Sequence, residues 1–316
     1  MNNIPPRLQW NANNGYCGEV AFISAGLYYG QYISQYDARA IASNNGLQNK
    51  ASSQLLIGVN DTYAATQMHL TYAEWNTGSE TNTNQFLAWV TGQVVAGYPV
   101  AIGVYTNEYL FYGKTNPNAG DPDYDHIVPV TQVGSNHLLT NPATYYSDDT
   151  ITFNDNGLWA PGGQPQYVFS YPFGTFEATR QQANAKSGNI YSVSSDGSNY
   201  GIAITGVIDQ NHETLPVKVA TNLNYEKPSI KNGSNTRPSP EALTLTVTVS
   251  GLQPGSTYKL YRYNAMSNVP NSAFNANASQ AYEKWTISAT SNTYTMTENI
   301  QSSDEAIYRA VAASAP

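Results

Sequence analysis

The seven residues Leu243-Thr-Leu-Thr-Val-Thr-Val249 alternate strictly between aliphatic and hydroxyl side chains. A period of two places every aliphatic group on one face of an extended strand, so this segment is stable only where that face lies on further apolar surface. Short β-branched and aromatic runs flank it at 202–208, 216–221, 258–263, 284–290, 294–297 and 306–312, separated by Asn, Gly, Pro and Ser. About seven short strands in this stretch is the number a β-sandwich needs. Residues 199–316 are therefore expected to form an all-β sandwich domain.

The first 198 residues have a different texture and read as α+β. Small and apolar side chains from Gly18 to about Tyr32 predict a buried helix opening directly after Cys17. Asp37 is placed to cap a helix that Gly46 ends, and Asp61 to cap another running to about Glu74. Phe86, Trp89, Val90, Gln93 and Val94 fall at helical spacing between Thr83 and Ala96. Val100–Tyr105, Ile127–Val133 and Thr150–Asn154 read as strands.

Charged residues make up only 11% of the 316, and mean hydropathy is −0.42. Uncharged Asn, Gln, Ser and Thr, with 25 Tyr, supply the polarity. Such composition predicts a secreted or extracellular protein. No export signal is visible at the start, Met1-Asn-Asn-Ile-Pro-Pro6, which has the look of a mature chain. Sequons at Asn60, Asn232 and Asn277 would permit glycosylation in a eukaryotic source. A net charge of −8 with scattered Lys and Arg argues against nucleic acid as a partner, and no apolar run reaches the length of a membrane span. The chain has one cysteine and so no internal disulfide.

That cysteine sits in Asn13-Asn-Gly-Tyr-Cys-Gly-Glu19, at the start of the expected helix, where orphan amides and the helix dipole favour an anion. His126 opens one expected strand and Asp155 follows the end of the next. A nucleophile at a helix start, then a base and an orienting carboxylate on neighbouring strands, is a Cys-His-Asp arrangement in the chain order of thiol hydrolases. His126 would take the thiol proton and later protonate the leaving group, while Asp155 holds the ring and its tautomer.

Gly15-Tyr16-Cys17-Gly18, Asp125-His126 and Asn154-Asp155 resemble the papain-like cysteine peptidases that include the bacteriocin-processing (double-glycine) peptidases. The Tyr-Cys-Gly element is also similar to phytochelatin synthase, and Leu87–Val104 resembles the helix and strand those enzymes carry between Cys and His. The similarity runs through short motifs over roughly residues 8–160. It implies a papain-like domain over 1–198 and a catalytic set of Cys17, His126 and Asp155. Those families place an oxyanion-hole Gln about six residues before the Cys, where this chain has Asn11. Gln9, two residues earlier, is the favoured donor, with Asn11 the alternative. Asn154 could orient the imidazole, as the amide of papain does; Asp155 is favoured because it aligns with the bacteriocin-processing pattern. In the C-terminal part, Gly251-Leu-Gln-Pro-Gly-Ser-Thr-Tyr258 resembles an inter-strand corner of fibronectin type III domains.

Other patterns carry less. Asp121-Pro-Asp-Tyr-Asp125 has spaced carboxylates, but His126 and Gln132 stand where an EF-hand loop needs Gly and Glu, so a solvated acidic loop is expected, one that near a cleft would favour cationic substrates. Gly113-Lys-Thr115 lacks the rest of a phosphate loop. His69, His137 and His212 read as structural or surface residues, and Trp159 as a possible wall of the cleft. No metal or other cofactor is implied. The expected activity is cleavage of a peptide bond through a thioester on Cys17. The alternatives are a γ-glutamyl or other small-amide amidase or acyl-transferase, and an idle secreted protein binding a glycan or protein ligand through its sandwich.

Overall fold

The computed structural model describes residue 4 and residues 7–10, 14–223 and 236–313. Asn11, Asn232 and most of the first six residues lie outside the described residues. In chain order the elements begin with α1 (Cys17–Tyr28), β1 (Gln31–Tyr32), α2 (Gln35–Ala42), α3 (Asp61–Gln67), β2 (Leu70–Glu74), α4 (Thr83–Val95), β3 (Val100–Thr106) and α5 (Glu108–Tyr112). Next come β4 (His126–Gly134), β5 (Thr150–Asn154), β6 (Val168–Pro172), α6 (Phe173–Phe176), β7 (Glu177–Ala178), α7 (Arg180–Ala183), β8 (Tyr191–Ser194) and β9 (Gly201–Val207). The last are β10 (Thr214–Leu215), β11 (Val217–Thr221), β12 (Ala242–Ser250), β13 (Thr257–Tyr263), β14 (Glu283–Ser288), β15 (Thr293–Gln301) and β16 (Ala306–Ala312). The fold is mixed α/β, with open, largely antiparallel sheets and no closed barrel among the described residues. No described helix is long and apolar enough to cross a membrane.

Contacts divide the chain into two compact units, each built from several separate stretches of sequence. The first comprises Met1–Gln9, Leu55–Thr62 and Tyr72–Thr205, the second Trp10–Gln54, Tyr63–Thr71 and Gly206–Pro316. Backbone pairing explains the interleaving. The run expected at 202–208 forms as β9, but its first residues pair with β3. Conversely, β1, early in the chain, pairs with β16.

In the first unit, α4 and an antiparallel β3–β4–β5–β6 ladder share one core. Asn82 caps α4 by accepting from the Gln85 amide at 3.0 Å. Phe86, Leu87, Val90 and Val94 of the helix join Val100, Ile102 and Val104 of β3, Val128 and Val130 of β4, and Ile151 and Phe153 of β5. All of these are buried, and each stabilises the unit by roughly 1.5–3 kcal/mol. Every residue of β3 is buried, as expected for a central strand read as a β-branched run.

In the second unit, one sheet runs β1-β16-β13-β14 with β10 also on β16, and another runs β11-β12-β15. The strict alternation of β12 appears as burial: Leu243, Leu245, Val247 and Val249 are inside while the intervening threonines are half-buried. At the 251–258 corner Leu252 is buried, and the Tyr258 hydroxyl accepts from the Gln253 amide at 2.9 Å.

Three helix expectations change. α1 stops at Tyr28, because Gly30 turns at φ +76°, and Gln31 and Tyr32 become strand. A side chain at residue 30 would bring its Cβ to 2.8 Å from Val217 Cβ, so glycine is required there twice over. Ser34, not Asp37, caps α2; its hydroxyl oxygen accepts from the Asp37 amide at 3.1 Å. The stretch from Asp61 to Glu74 is a short helix and then a strand, with His69 at φ +54° between them.

Asp61 is 1% exposed and its Oδ2 has no hydrogen-bond partner among the described residues. Burial, helped by Glu74, pushes its pKa up to about 7. The native state therefore holds a proton that the unfolded chain releases near pH 4. That contribution to stability is fully present below about pH 4 and is lost as pH rises to about 7. Asp61→Asn keeps the acceptor for the Gly58 amide and removes the titration. In thermal melts from pH 5 to pH 8, its midpoint should gain several degrees on wild type, and a constant difference across that range would contradict the assignment.

Candidate functional site

The β4–β5 pairing sets the first half of the site. Gly134 faces Thr150, Val133 faces Ile151 and Gln132 faces Thr152, but Val130 then faces Phe153, so Thr131 is an extra residue on β4. Opposed residues share a face, and one inserted residue exchanges the faces beyond it. Continued past the bulge, this register gives His126 the face of Phe153 and Asp155. Without it His126 would share a face with Asn154 and Asn156.

His126 Nε2 lies 3.0 Å from Asp155 Oδ1, and both residues are buried, at 1% and 0% exposure. Asn154, the rival orienting group, instead donates its side-chain amide to the Ile4 carbonyl at 2.9 Å. Asn156 donates to the Ile127 carbonyl at 3.1 Å. Three consecutive side chains thus lock the exit of β5. Asp155 also accepts from the amides of Leu158 and Trp159, at 3.3 and 2.9 Å, which satisfies the carboxylate in a dry setting.

Under the imidazole lies Tyr191, completely buried, its ring stacked on His126 at 5.7 Å between centroids. Burial and the adjacent Asp155 push its phenol well above the ordinary tyrosine range, so it stays neutral. Sequence reasoning missed this residue, since one tyrosine among 25 carries no distinguishing spacing. Trp159 packs its ring edge-on against Phe111, with centroids 4.7 Å apart.

The acidic loop before His126 is not wholly solvated. Asp125 accepts from Arg180 at 2.5 Å and from the amides of Thr106 and Asp121 at 2.7 and 2.6 Å. Arg180 also lies over the Tyr105 ring and donates to the Ala119 carbonyl. Asp125 therefore fixes the entry to β4, while Asp121 and Asp123 remain exposed. Gln9 is held by its backbone, whose amide donates to the Asn156 carbonyl at 3.0 Å, next to the residue that bonds His126.

Cys17 belongs to the second unit, where it is the first residue of α1 and is buried at 8% exposure. Tyr16 is the N-cap residue of the helix, and its own side chain makes no capping hydrogen bond. The loop leading to Cys17 is organised by Arg39, which sequence reasoning also missed. Arg39 Nε donates to Glu19 at 2.7 Å, Nη1 to the Asn14 carbonyl at 3.1 Å and to the Gln48 carbonyl at 3.2 Å, and Nη2 to the Gly15 carbonyl. Its guanidinium lies 3.5 Å from the Tyr16 ring centroid, and Gln54 adds a second donor to Gly15 at 3.0 Å. Trp10 packs edge-on against Tyr16, with ring centroids 5.1 Å apart.

Elsewhere, His69 Nδ1 lies 3.0 Å from Asn271 Oδ1, and His212 occupies a turn at φ +53°. The far end of the β4–β5 hairpin brings together His137, Asp148 and Asp149, with their ligand atoms within 4.8 Å of one another. Comparison with known proteins gives no family model, no curated protein and no solved structure that matches this chain.

The Arg39–Glu19 pair is 1% and 0% exposed, so removing one partner leaves a buried charge uncompensated. Arg39→Ala should cost about 3–5 kcal/mol in urea unfolding. Adding Glu19→Ala to it should cost less than the sum of the single changes. Additive costs would show that the two side chains are energetically independent.

Proposed function

We propose that this chain is a cysteine hydrolase that cleaves a peptide bond through a thioester on Cys17. His126 acts as general base and then general acid, and Asp155 fixes the imidazole. The observation that carries this reading is the buried 3.0 Å contact between His126 Nε2 and Asp155 Oδ1. A carboxylate on one ring nitrogen fixes the tautomer and stabilises the imidazolium, leaving Nδ1 to exchange the proton with thiol and leaving group. The fully buried Tyr191 beneath the ring excludes water from that side and limits its motion.

Cys17, at the first position of a buried helix, supplies the nucleophile. Attack of the thiolate on the carbonyl carbon gives a tetrahedral oxyanion, which the Cys17 amide and the Gln9 side chain stabilise. Collapse expels the amine, protonated by His126. Water, deprotonated by the same imidazole, then releases the acid and restores the thiol. The Gln9 backbone bond to Asn156 supports this role, because it ties Gln9 to the strand end that carries Asp155.

The wider reading is a papain-like domain joined to a β-sandwich of the fibronectin type III kind. Two antiparallel sheets in the C-terminal part and the Tyr258 hydroxyl on the Gln253 amide at the corner support the second half of it. The weakly charged, polar composition fits a protein that works outside the cell.

Incubation with a mixed peptide library, read by mass spectrometry, should show new termini that are absent with Cys17→Ser. His126→Ala should slow cleavage by about 10²–10⁴-fold, and Asp155→Ala should also slow it. Transfer of the acyl group to an added amine in preference to water would assign an acyl-transferase. Cleavage that persists in Cys17→Ser would overturn the nucleophile assignment.

A further inference from the structure

We propose that His137, Asp148 and Asp149 bind one divalent transition-metal ion of the zinc type, which clamps the connection between β4 and β5. Three features of the residues support this. First, the ligand atoms converge: one nitrogen of His137 and one oxygen from each aspartate lie within 4.8 Å of one another. The His137 ring is held flat on Tyr146, with centroids 3.8 Å apart and planes at 17°, so its Nε2 is aimed rather than free to swing. Asp148 Oδ1 already lies 2.8 Å from that nitrogen.

Second, Asp149 is 1% exposed, and its Oδ1 has no hydrogen-bond partner among the described residues. A buried carboxylate oxygen without a donor is costly, and folding normally removes such groups or satisfies them. The backbone gives Asp149 no freedom to turn outward. Its amide donates to the Tyr146 carbonyl at 3.1 Å, and its carbonyl accepts from the Phe173 amide at 2.8 Å. A cation at the cluster would supply the missing partner.

Third, the donor set discriminates among ions. A neutral imidazole and two carboxylates carry a net charge of −2, which a divalent ion neutralises. Imidazole suits zinc and its neighbours, whereas calcium and magnesium favour all-oxygen sites. Zinc bonds of about 2.0–2.2 Å place tetrahedral ligands roughly 3.3–3.6 Å apart, so no pair of ligand atoms has to close by more than about 1.5 Å on binding. Asp148 is 62% exposed on its side chain and can make such a shift. Water completes the coordination. The site lies at the end of the hairpin opposite His126 and Asp155, and its role is to hold the 135–149 connection rather than to take part in catalysis.

The test is calorimetric titration of tag-free, chelator-treated protein with zinc chloride at pH 7.5. A Cys17→Ser background removes the thiol as a competing ligand. The expected result is one ion per chain, a raised melting temperature, and no comparable binding of calcium. His137→Ala, a change at a partly exposed side chain, should weaken binding at least tenfold. Asp149→Asn should do the same if its metal-free melt shows a folded chain. Absence of saturable zinc binding, or an affinity unchanged in His137→Ala, would overturn the proposal.

Discussion

The extra residue Thr131 in the β4–β5 ladder is the constraint on which the contact between His126 and Asp155 depends. Antiparallel pairing alone brings the start of β4 and the end of β5 to the same end of the sheet. Which side chain then meets His126 is a question of parity, and the bulge resolves it in favour of Asp155 over Asn154. The same hairpin brings His137 to Asp148 and Asp149 at its opposite end. One pair of strands, buried through Val128, Val130, Ile151 and Phe153, therefore carries two clusters of chemistry-bearing residues.

Within each unit, one arginine fixes an irregular loop in a similar way. Arg180 binds Asp125 and the loop carbonyls just before His126, and Arg39 binds Glu19 and the loop carbonyls just before Cys17. Each lies over an aromatic ring, Tyr105 and Tyr16 respectively. Several fixed donors on a planar guanidinium let one side chain tie down an irregular loop whose carbonyls have no ladder to join. In each case the segment so fixed leads directly into an element that starts with a candidate catalytic residue, which keeps the position of that residue independent of loop motion.

Much of this was legible from residue pattern. The period-two run at 243–249, the β-branched run at 100–105 and the helical spacing from Phe86 to Val94 each follow from the way a single element buries one face, so each was readable locally. His126 and Asp155 were readable because each sits at a strand boundary marked by the adjoining sequence. What could not be read depends on distant partners. The pairing of β9 with β3 and of β1 with β16 is set by which edge each strand finds, and no local signal encodes that. Arg39, Arg180 and Tyr191 acquire their roles only through contacts with residues far along the chain. His137, too, has sequence neighbours that say nothing of Asp148 or Asp149 until the hairpin closes.

The central claim is that Cys17 and His126 act as one acid–base pair, and the rate of Cys17 alkylation tests it most directly. At pH 6 an unassisted thiol of pKa about 8.5 is under roughly 1% ionised and reacts slowly with iodoacetamide. If the imidazole takes up the thiol proton, wild type should alkylate at pH 6 at least tenfold faster than His126→Ala, with the difference shrinking toward pH 9. Equal rates for the two proteins across that range would contradict the pairing and, with it, the assignment of the chain as a cysteine hydrolase.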